Sequence, residues 1–226
     1  MPWKKDFRDI ERQRQGLMDA ALRLLPDSVE VIRAAVEFAT RAHEGQTRDE
    51  GDPYVIHPIR AALFMIEEME ERDPNVIAAI LLHDVVEDTS ATLEEIRQKF
   101  GDRVARLVES VTRPRAKLET EEDKLKTKPA AYQKILHASD ETIRIKAADL
   151  LDNMRSWEMV EELVRSNPVR LARWLNEARA YYFEIGKRAG HGVEQEMRRI
   201  AISSSLHLFI SRSHKHRCRS RADLLQ

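Results

Sequence analysis

The chain has 226 residues, with 38 lysines and arginines against 39 acids and a formal net charge of −1, so no global attraction to nucleic acid or anionic lipid is expected. Hydrophobic residues make up 42% and charged residues 34%, a globular balance with ample core, and only 7 glycines and 8 prolines punctuate it, too few for a many-stranded β protein. The single cysteine, Cys218, excludes an intrachain disulfide, and neither a leader-type apolar start nor an apolar run long enough for a membrane span is present, so the chain reads as cytoplasmic, with no membrane partner.

Residues 6–25 predict an amphipathic packing helix with Leu17, Ala21, Leu24 and Leu25 on one side, stopped by Pro26. Residues 1–26 are therefore expected as an N-terminal packing helix. Asp27 and Glu30 have capping-box spacing. The next helix carries Ile32, Ala35, Val36, Ala39 and His43 three and four apart. A histidine closing such a stripe reads first as a packed core residue rather than a ligand. Residues 43–54 hold two glycines and a proline and predict a loop, delivering the chain to His57-Pro58. Pro58 suits the first turn of a helix, which places His57 at an exposed helix end. Ile59, Ala62, Leu63, Ile66 and Met69 face inward behind it.

After Asp73-Pro74 comes Val76-Ile77-Ala78-Ala79-Ile80-Leu81-Leu82, buried-helix material that runs into His83-Asp84-Val85-Val86-Glu87-Asp88-Thr89. Cores exclude carboxylates unless these are paired or bound to a metal. On a helix, residues four apart share a face, so His83 lies over Glu87 and Asp84 over Asp88. The plainer alternative is a helix end with solvated acids.

Thr92 and Glu95 form a second capping box, opening a helix that Gly101 closes. Val104, Leu107, Val108 and Val111 continue the pattern. Arg113–Lys128 is dense in charge and reads as a solvated connector or as a lid whose cations, among them Lys117 and Lys124, meet phosphates. A helix with Ile143, Ala147, Leu150 and Met154 on its apolar face follows, and Asp149 and Asn153 align off that face. A long helix holds Leu171, Trp174, Leu175, Ala178, Tyr182 and Ile185, and a last one holds Val193, Met197 and Ile200. From Ser211 to Gln226 the net charge is +4 against −5 for the remainder, and 206–226 is expected as a disordered, solubilising basic tail. With no period-2 alternation worth naming, the fold class is all-α.

His57, His83, Asp84 and Asp149 are the groups able to meet on one ion. Two imidazoles and two carboxylates suit Mn²⁺, Fe²⁺ or Zn²⁺ better than Ca²⁺, and a metal leaving open positions activates water and neutralises a phosphoryl group. Glu87 and Asp88, one turn on, are placed for proton handling. Spacing alone does not bring three helices together.

The order His57…His83-Asp84…Asp149 resembles the HD-domain metal-dependent phosphohydrolases. The wording is similar to the hydrolase domain of the RelA/SpoT alarmone enzymes and small alarmone hydrolases, through His43-Glu44-Gly45-Gln46-Thr47-Arg48, Pro53-Tyr54-Val55-Ile56-His57-Pro58, Leu82 to Thr89, and Ile145 to Arg155. The resemblance spans roughly residues 30–190 and implies a multi-helix HD bundle around one metal site, with the domain at 27–205. It implies Mn²⁺ on His57, His83, Asp84 and Asp149, with other divalent transition metals as alternatives. Glu87, Asp88 and Asn153 would be catalytic, and Arg48, Glu177 and Tyr182 would lie at the substrate. The implied reaction removes the 3′-pyrophosphate of (p)ppGpp, giving GDP or GTP and pyrophosphate.

Three departures stand out: Asp49 and Glu50 where a second cation usually follows Arg48, Leu150 where a basic residue is common, and Asp152 where histidine or tyrosine precedes the asparagine. They keep open an HD-type phosphohydrolase acting on another nucleotide or polyphosphate. A non-catalytic nucleotide-sensing or partner-binding module is the third reading. The expected partner is a small nucleotide rather than nucleic acid, and oligomeric state is not legible.

Overall fold

The computed structural model describes residues 6–113, 120–159 and 168–222, with the side chains of 121, 122, 124, 125, 158, 159 and 207–222 outside the description. Among these residues all regular secondary structure is helical, save one isolated antiparallel bridge between Thr47 and Pro53. The all-α expectation holds. The chain divides into two compact units, 1–152 and 153–226.

In the first unit, α1 (Ile10–Leu24) starts on an Asp9 cap whose carboxylate accepts the Arg12 amide, and it buries Leu17, Ala20 and Ala21. A 3-10 turn at Pro26–Ser28 leads into α2 (Val29–Ala42). The capping box expected from Asp27 and Glu30 does not form. The proline turn shifts the start so that Ser28 stands at the cap, with no side-chain bond there.

α3 (Ile56–Glu67) and α4 (Pro74–Leu82) form the centre of this unit, and every residue of α4 from Val76 onward is buried. α1 packs on α3, α2 on α4, and α4 on both α3 and α6. Enclosure on all sides explains why α4 is apolar all round, not striped. A one-turn helix, α5 (Val85–Asp88), follows His83 and Asp84 directly.

α6 (Leu93–Val111) opens on the expected Thr92/Glu95 capping box, with both reciprocal bonds made, and breaks at Gly101, whose φ of 87° favours glycine. α7 (Glu121–Leu136) has its own box from Thr120 and Asp123. α8 (Asp140–Met159) buries Ile143, Ala147, Leu150 and Met154 as its period required.

The second unit holds α9 (Pro168–Glu177), a π-helical turn at Ala178–Tyr182, α10 (Phe183–Ala189) and α11 (His191–Ala222). α10 and α11 approach closely at Gly186, where an added Cβ would stand 2.7 Å from Met197 Sδ. The backbone of residues 206–222, read from sequence as the start of a tail, continues α11. No described helix is long and apolar enough to cross a membrane.

Candidate metal centre and its surroundings

Three pieces of the first unit meet at one point. His57 sits in the first turn of α3, His83 and Asp84 lie between α4 and α5, and Asp149 lies on α8. His57 is 1% exposed, not at an open helix end as its place before Pro58 suggested. The reason is that α3 begins at Ile56 and its first turn is itself buried.

The two imidazoles turn their Nε2 atoms toward the same two carboxylate oxygens. His57 Nε2 is 3.2 Å from Asp149 Oδ1 and 3.7 Å from Asp84 Oδ2, and His83 Nε2 is 3.1 Å from Asp84 Oδ2 and 3.6 Å from Asp149 Oδ1. The ring centroids are 5.1 Å apart. Metal–ligand bonds of about 2.0–2.2 Å place neighbouring ligands of one ion roughly 3–3.5 Å apart, which these spacings approach. His57, His83 and Asp149 also offer atoms that all lie within 4.8 Å of one another.

Tautomers follow from the other ring nitrogens. His83 Nδ1 lies 2.7 Å from the Ile80 carbonyl, and His57 Nδ1 lies 2.7 Å from Asp152 Oδ2. A carbonyl and a carboxylate can only accept, so each Nδ1 carries a proton, and each ring, when neutral, has its lone pair on Nε2. The buried Nε2 of His83 makes no well-formed hydrogen bond. A lone pair facing carboxylate oxygens is relieved only by a proton or a cation. The donor set therefore fits a divalent metal.

Electrostatics agree. Burial opposes charging of His83, but Asp84 and Asp149 outweigh it and hold its pKa well above the ordinary value. Burial would raise Asp149, yet Lys146 and the two histidines keep it well below the usual carboxylate range. Asp84 is likewise lowered against burial by His83. Asp149 divides its oxygens, Oδ1 toward the imidazoles and Oδ2 to Lys146 Nζ at 2.6 Å. Asp152 is held low by Arg60 and His57 against burial.

Glu87 accepts the Arg113 backbone N–H at 3.1 Å and faces its guanidinium at 3.4 Å. It lines a cavity of about 130 Å³ with Tyr132 and four cations, Arg113, Lys128, Lys134 and Lys146. Asp88 Oδ2 lies 3.0 Å from the Tyr54 hydroxyl. Tyr54 is stacked on His43, with centroids 4.5 Å apart, and His43 is buried and bonded to Gln46, the packed role its position suggested. Arg48 pairs with Glu50 at 3.7 Å and lies 5.7 Å from the Tyr54 ring.

Lys117 lies outside the described residues, as does the side chain of Lys124, whose backbone is in α7. Asn153 is half-buried and is the first residue of the second unit. In that unit Tyr182 donates its hydroxyl to Glu177 at 2.9 Å, a pair brought together by the five-residue step of the π turn. Of the departures, Leu150 is buried in the core and Asp152 turns to His57 and Arg60. Sequence reasoning missed Tyr54, Arg60 and Lys146. The last two carry a spacing signal, since Arg60 follows His57 by three and Lys146 precedes Asp149 by three.

The HD domain family profile matches residues 35–191. A guanosine-3′,5′-bis(diphosphate) 3′-pyrophosphohydrolase of Aquifex aeolicus is 40% identical over 141 residues, covering 61% of this chain and 19% of that protein. The bifunctional (p)ppGpp synthase/hydrolase SpoT of Escherichia coli is 35% identical over 182 residues, covering 79% of this chain and 24% of that protein. The chain thus spans a fifth to a quarter of these bacterial relatives. The human guanosine-3′,5′-bis(diphosphate) 3′-pyrophosphohydrolase MESH1 is 34% identical, covering 82% of this chain and 96% of that protein. A solved structure described as a metazoan ortholog of SpoT that hydrolyses ppGpp superimposes with a TM-score of 0.62 and 27% identity, over 75% of this chain and 93% of that one. Matched geometry and matched sequence coincide on one assignment: the chain belongs to the HD-domain family.

Proposed function

We propose that the chain is a metal-dependent hydrolase that removes the 3′-pyrophosphate of (p)ppGpp, leaving GDP or GTP. The observation that carries this reading is the convergence of two Nε2 lone pairs and two carboxylates beside a cationic cavity that contains Glu87. The names of the relatives support the substrate.

His57, His83, Asp84 and Asp149 hold the metal; a mixed nitrogen and oxygen set suits Mn²⁺, Fe²⁺ or Zn²⁺ better than Ca²⁺, and among these the resemblance to the alarmone hydrolases favours Mn²⁺. When bound, such an ion lowers the pKa of a coordinated water and offsets phosphoryl charge. Glu87 and Asp88 form the acid–base pair: one proton leaves the attacking water, and one reaches the 3′-oxygen as its bond to phosphorus breaks. Arg113 fixes the direction of the Glu87 carboxylate, and Tyr54 that of Asp88. The cations of the cavity receive the substrate's phosphates, with Lys117 and Lys124 on the same charged stretch as further contacts. Arg48 meets the nucleotide next to Tyr54.

A second reading, hydrolysis of another nucleotide or polyphosphate, is favoured by one observation. Glu50 already neutralises Arg48, and Asp49 beside it is exposed. The test is pyrophosphate release from ppGpp by metal-stripped protein with and without Mn²⁺, alongside an Asp84→Ala control and a panel of other nucleotides. Metal-dependent release absent from the control supports the first reading. Turnover of another nucleotide alone supports the second, and silence on every nucleotide rejects both.

A further inference from the structure

His57 and His83 are oriented by different groups. His83 gives its Nδ1 proton to a neutral backbone carbonyl, whereas His57 gives its own to the Asp152 carboxylate at 2.7 Å. Asp152 is in turn gripped by a guanidinium fork: Arg60 Nε reaches Oδ1 at 2.8 Å and Nη2 reaches Oδ2 at 2.9 Å. The third arm, Arg60 Nη1, donates to the Phe7 carbonyl at 3.0 Å, and the guanidinium carbon lies 3.7 Å from the centre of the Phe7 ring. His57, Arg60 and Asp152 are 1%, 6% and 4% exposed.

We propose that Asp152 is a positioning residue for the metal centre: clamped by Arg60, it holds the His57 ring with its proton on Nδ1 and its Nε2 lone pair toward Asp84 and Asp149. This rests on the metal-site reading above. A buried ion pair contributes little net stability, because desolvation offsets the attraction. The Arg60–Asp152 pair is therefore poorly explained as a core fastener. It is well explained as an orienting group, because carboxylates behind metal-bound imidazoles fix the tautomer and raise ligand basicity. Both parts of the geometry are needed. Asp152 Oδ2 accepts from the imidazole and the guanidinium at once, so the carboxylate cannot rotate away from His57 without breaking an Arg60 bond. Arg60 also cancels the charge that Asp152 brings close to Asp84 and Asp149, and Phe7 caps the cation from the segment before α1.

The test uses the full chain, stripped of metal, and titrates Mn²⁺ by the electron paramagnetic resonance of the free ion. Replacing the pair with apolar residues of similar size, Arg60→Met with Asp152→Leu, leaves no orphaned charge, and circular dichroism reports whether it folds. Its Mn²⁺ dissociation constant is expected to rise about 10- to 100-fold. Asp152→Asn is the second variant, since it keeps the shape and a neutral acceptor, and a smaller weakening is expected. The wild-type chain gives an independent readout: ¹⁵N NMR of the His57 ring should place the proton on Nδ1, and a proton on Nε2 overturns the proposal. Folded variants that bind Mn²⁺ within about twofold of wild type also overturn it, since an orienting carboxylate has a larger effect. Wild-type protein that binds no Mn²⁺, Zn²⁺ or Co²⁺ rejects the metal-site reading itself, an outcome distinct from equal binding by all variants.

Discussion

Tyr54 reaches from the loop before α3 to donate its hydroxyl to Asp84 at 2.7 Å, and the same oxygen stands 3.0 Å from Asp88. One phenol thus spans a candidate metal ligand and a candidate proton carrier. Burial, then the two carboxylates, hold its pKa far above the ordinary value, so it remains a donor across the working pH range. Tyr54→Phe removes the hydroxyl and keeps the ring on His43. Hydrogen bonds to charged groups contribute about 1.5–3 kcal/mol, so kcat should fall roughly 10- to 100-fold. The fall should appear in kcat more than in KM, in steady-state kinetics with ppGpp. An unchanged kcat would remove Tyr54 from the machinery.

Lys146 is the internal counter-charge of Asp149, with its own pKa raised by that carboxylate against the effect of burial. Lys146→Met leaves a buried carboxylate without its cation. Breaking such a pair costs about 3–5 kcal/mol when fully buried, and about 1–3 kcal/mol is expected where Lys146 keeps some solvent contact. Added Mn²⁺ should recover part of the loss, because a divalent ion supplies positive charge to the same carboxylate. Thermal unfolding with and without Mn²⁺ measures this. A variant whose melting temperature responds to Mn²⁺ no more than wild type contradicts it.

Asp73 caps α4, the helix that leads to His83, by accepting the Asn75 amide at 2.9 Å, and it pairs with Arg103. Burial works against its charged form, but the Asn75 bonds and Arg103 prevail and depress its pKa below 3.8. A depressed carboxylate stabilises above its unfolded value and loses that contribution as pH falls through its folded value. Asp73→Ala should therefore cost about 1 kcal/mol near neutral pH, and the gap from wild type should shrink below pH 3.8. Asp73→Asn, which still caps, should lose only the Arg103 share. Urea unfolding at several pH values checks both. A gap that grows on acidification contradicts the assignment.

What sequence reveals here depends on whether an interaction leaves a local pattern. The stripe Ile32, Ala35, Val36 and Ala39 is legible because one helix face meets the core, and all four are buried. His83 and Asp84 are legible because charge interrupts an apolar run. The Arg60–Asp152 clamp joins residues 92 positions apart, and such a pair leaves no periodic trace. Asp152 therefore reads as a departure beside a polyphosphate site, whereas the structure shows it facing the back of His57. The exposure expected for His57 failed for a related reason. Pro58 marks a helix start correctly, but sequence does not say that this start is enclosed by other helices.

The cavity beside Glu87 allows the charged stretch to be tested directly. Lys128 and Lys134 enter it from α7, whereas Lys146 is the cation bonded to Asp149. Replacing either with alanine should leave the metal centre intact while weakening attraction for a polyanion. Charge-assisted bonds to phosphate are about twice as strong as neutral ones, and removing one cation should raise KM for ppGpp roughly 5- to 20-fold with kcat little changed. The salt dependence of kcat/KM should flatten at the same time, because fewer charges are being screened. Equal KM values for Lys128→Ala, Lys134→Ala and wild type across the salt series would mean that the phosphates lie elsewhere. The acidic pair Asp49 and Glu50 would then become the next place to vary.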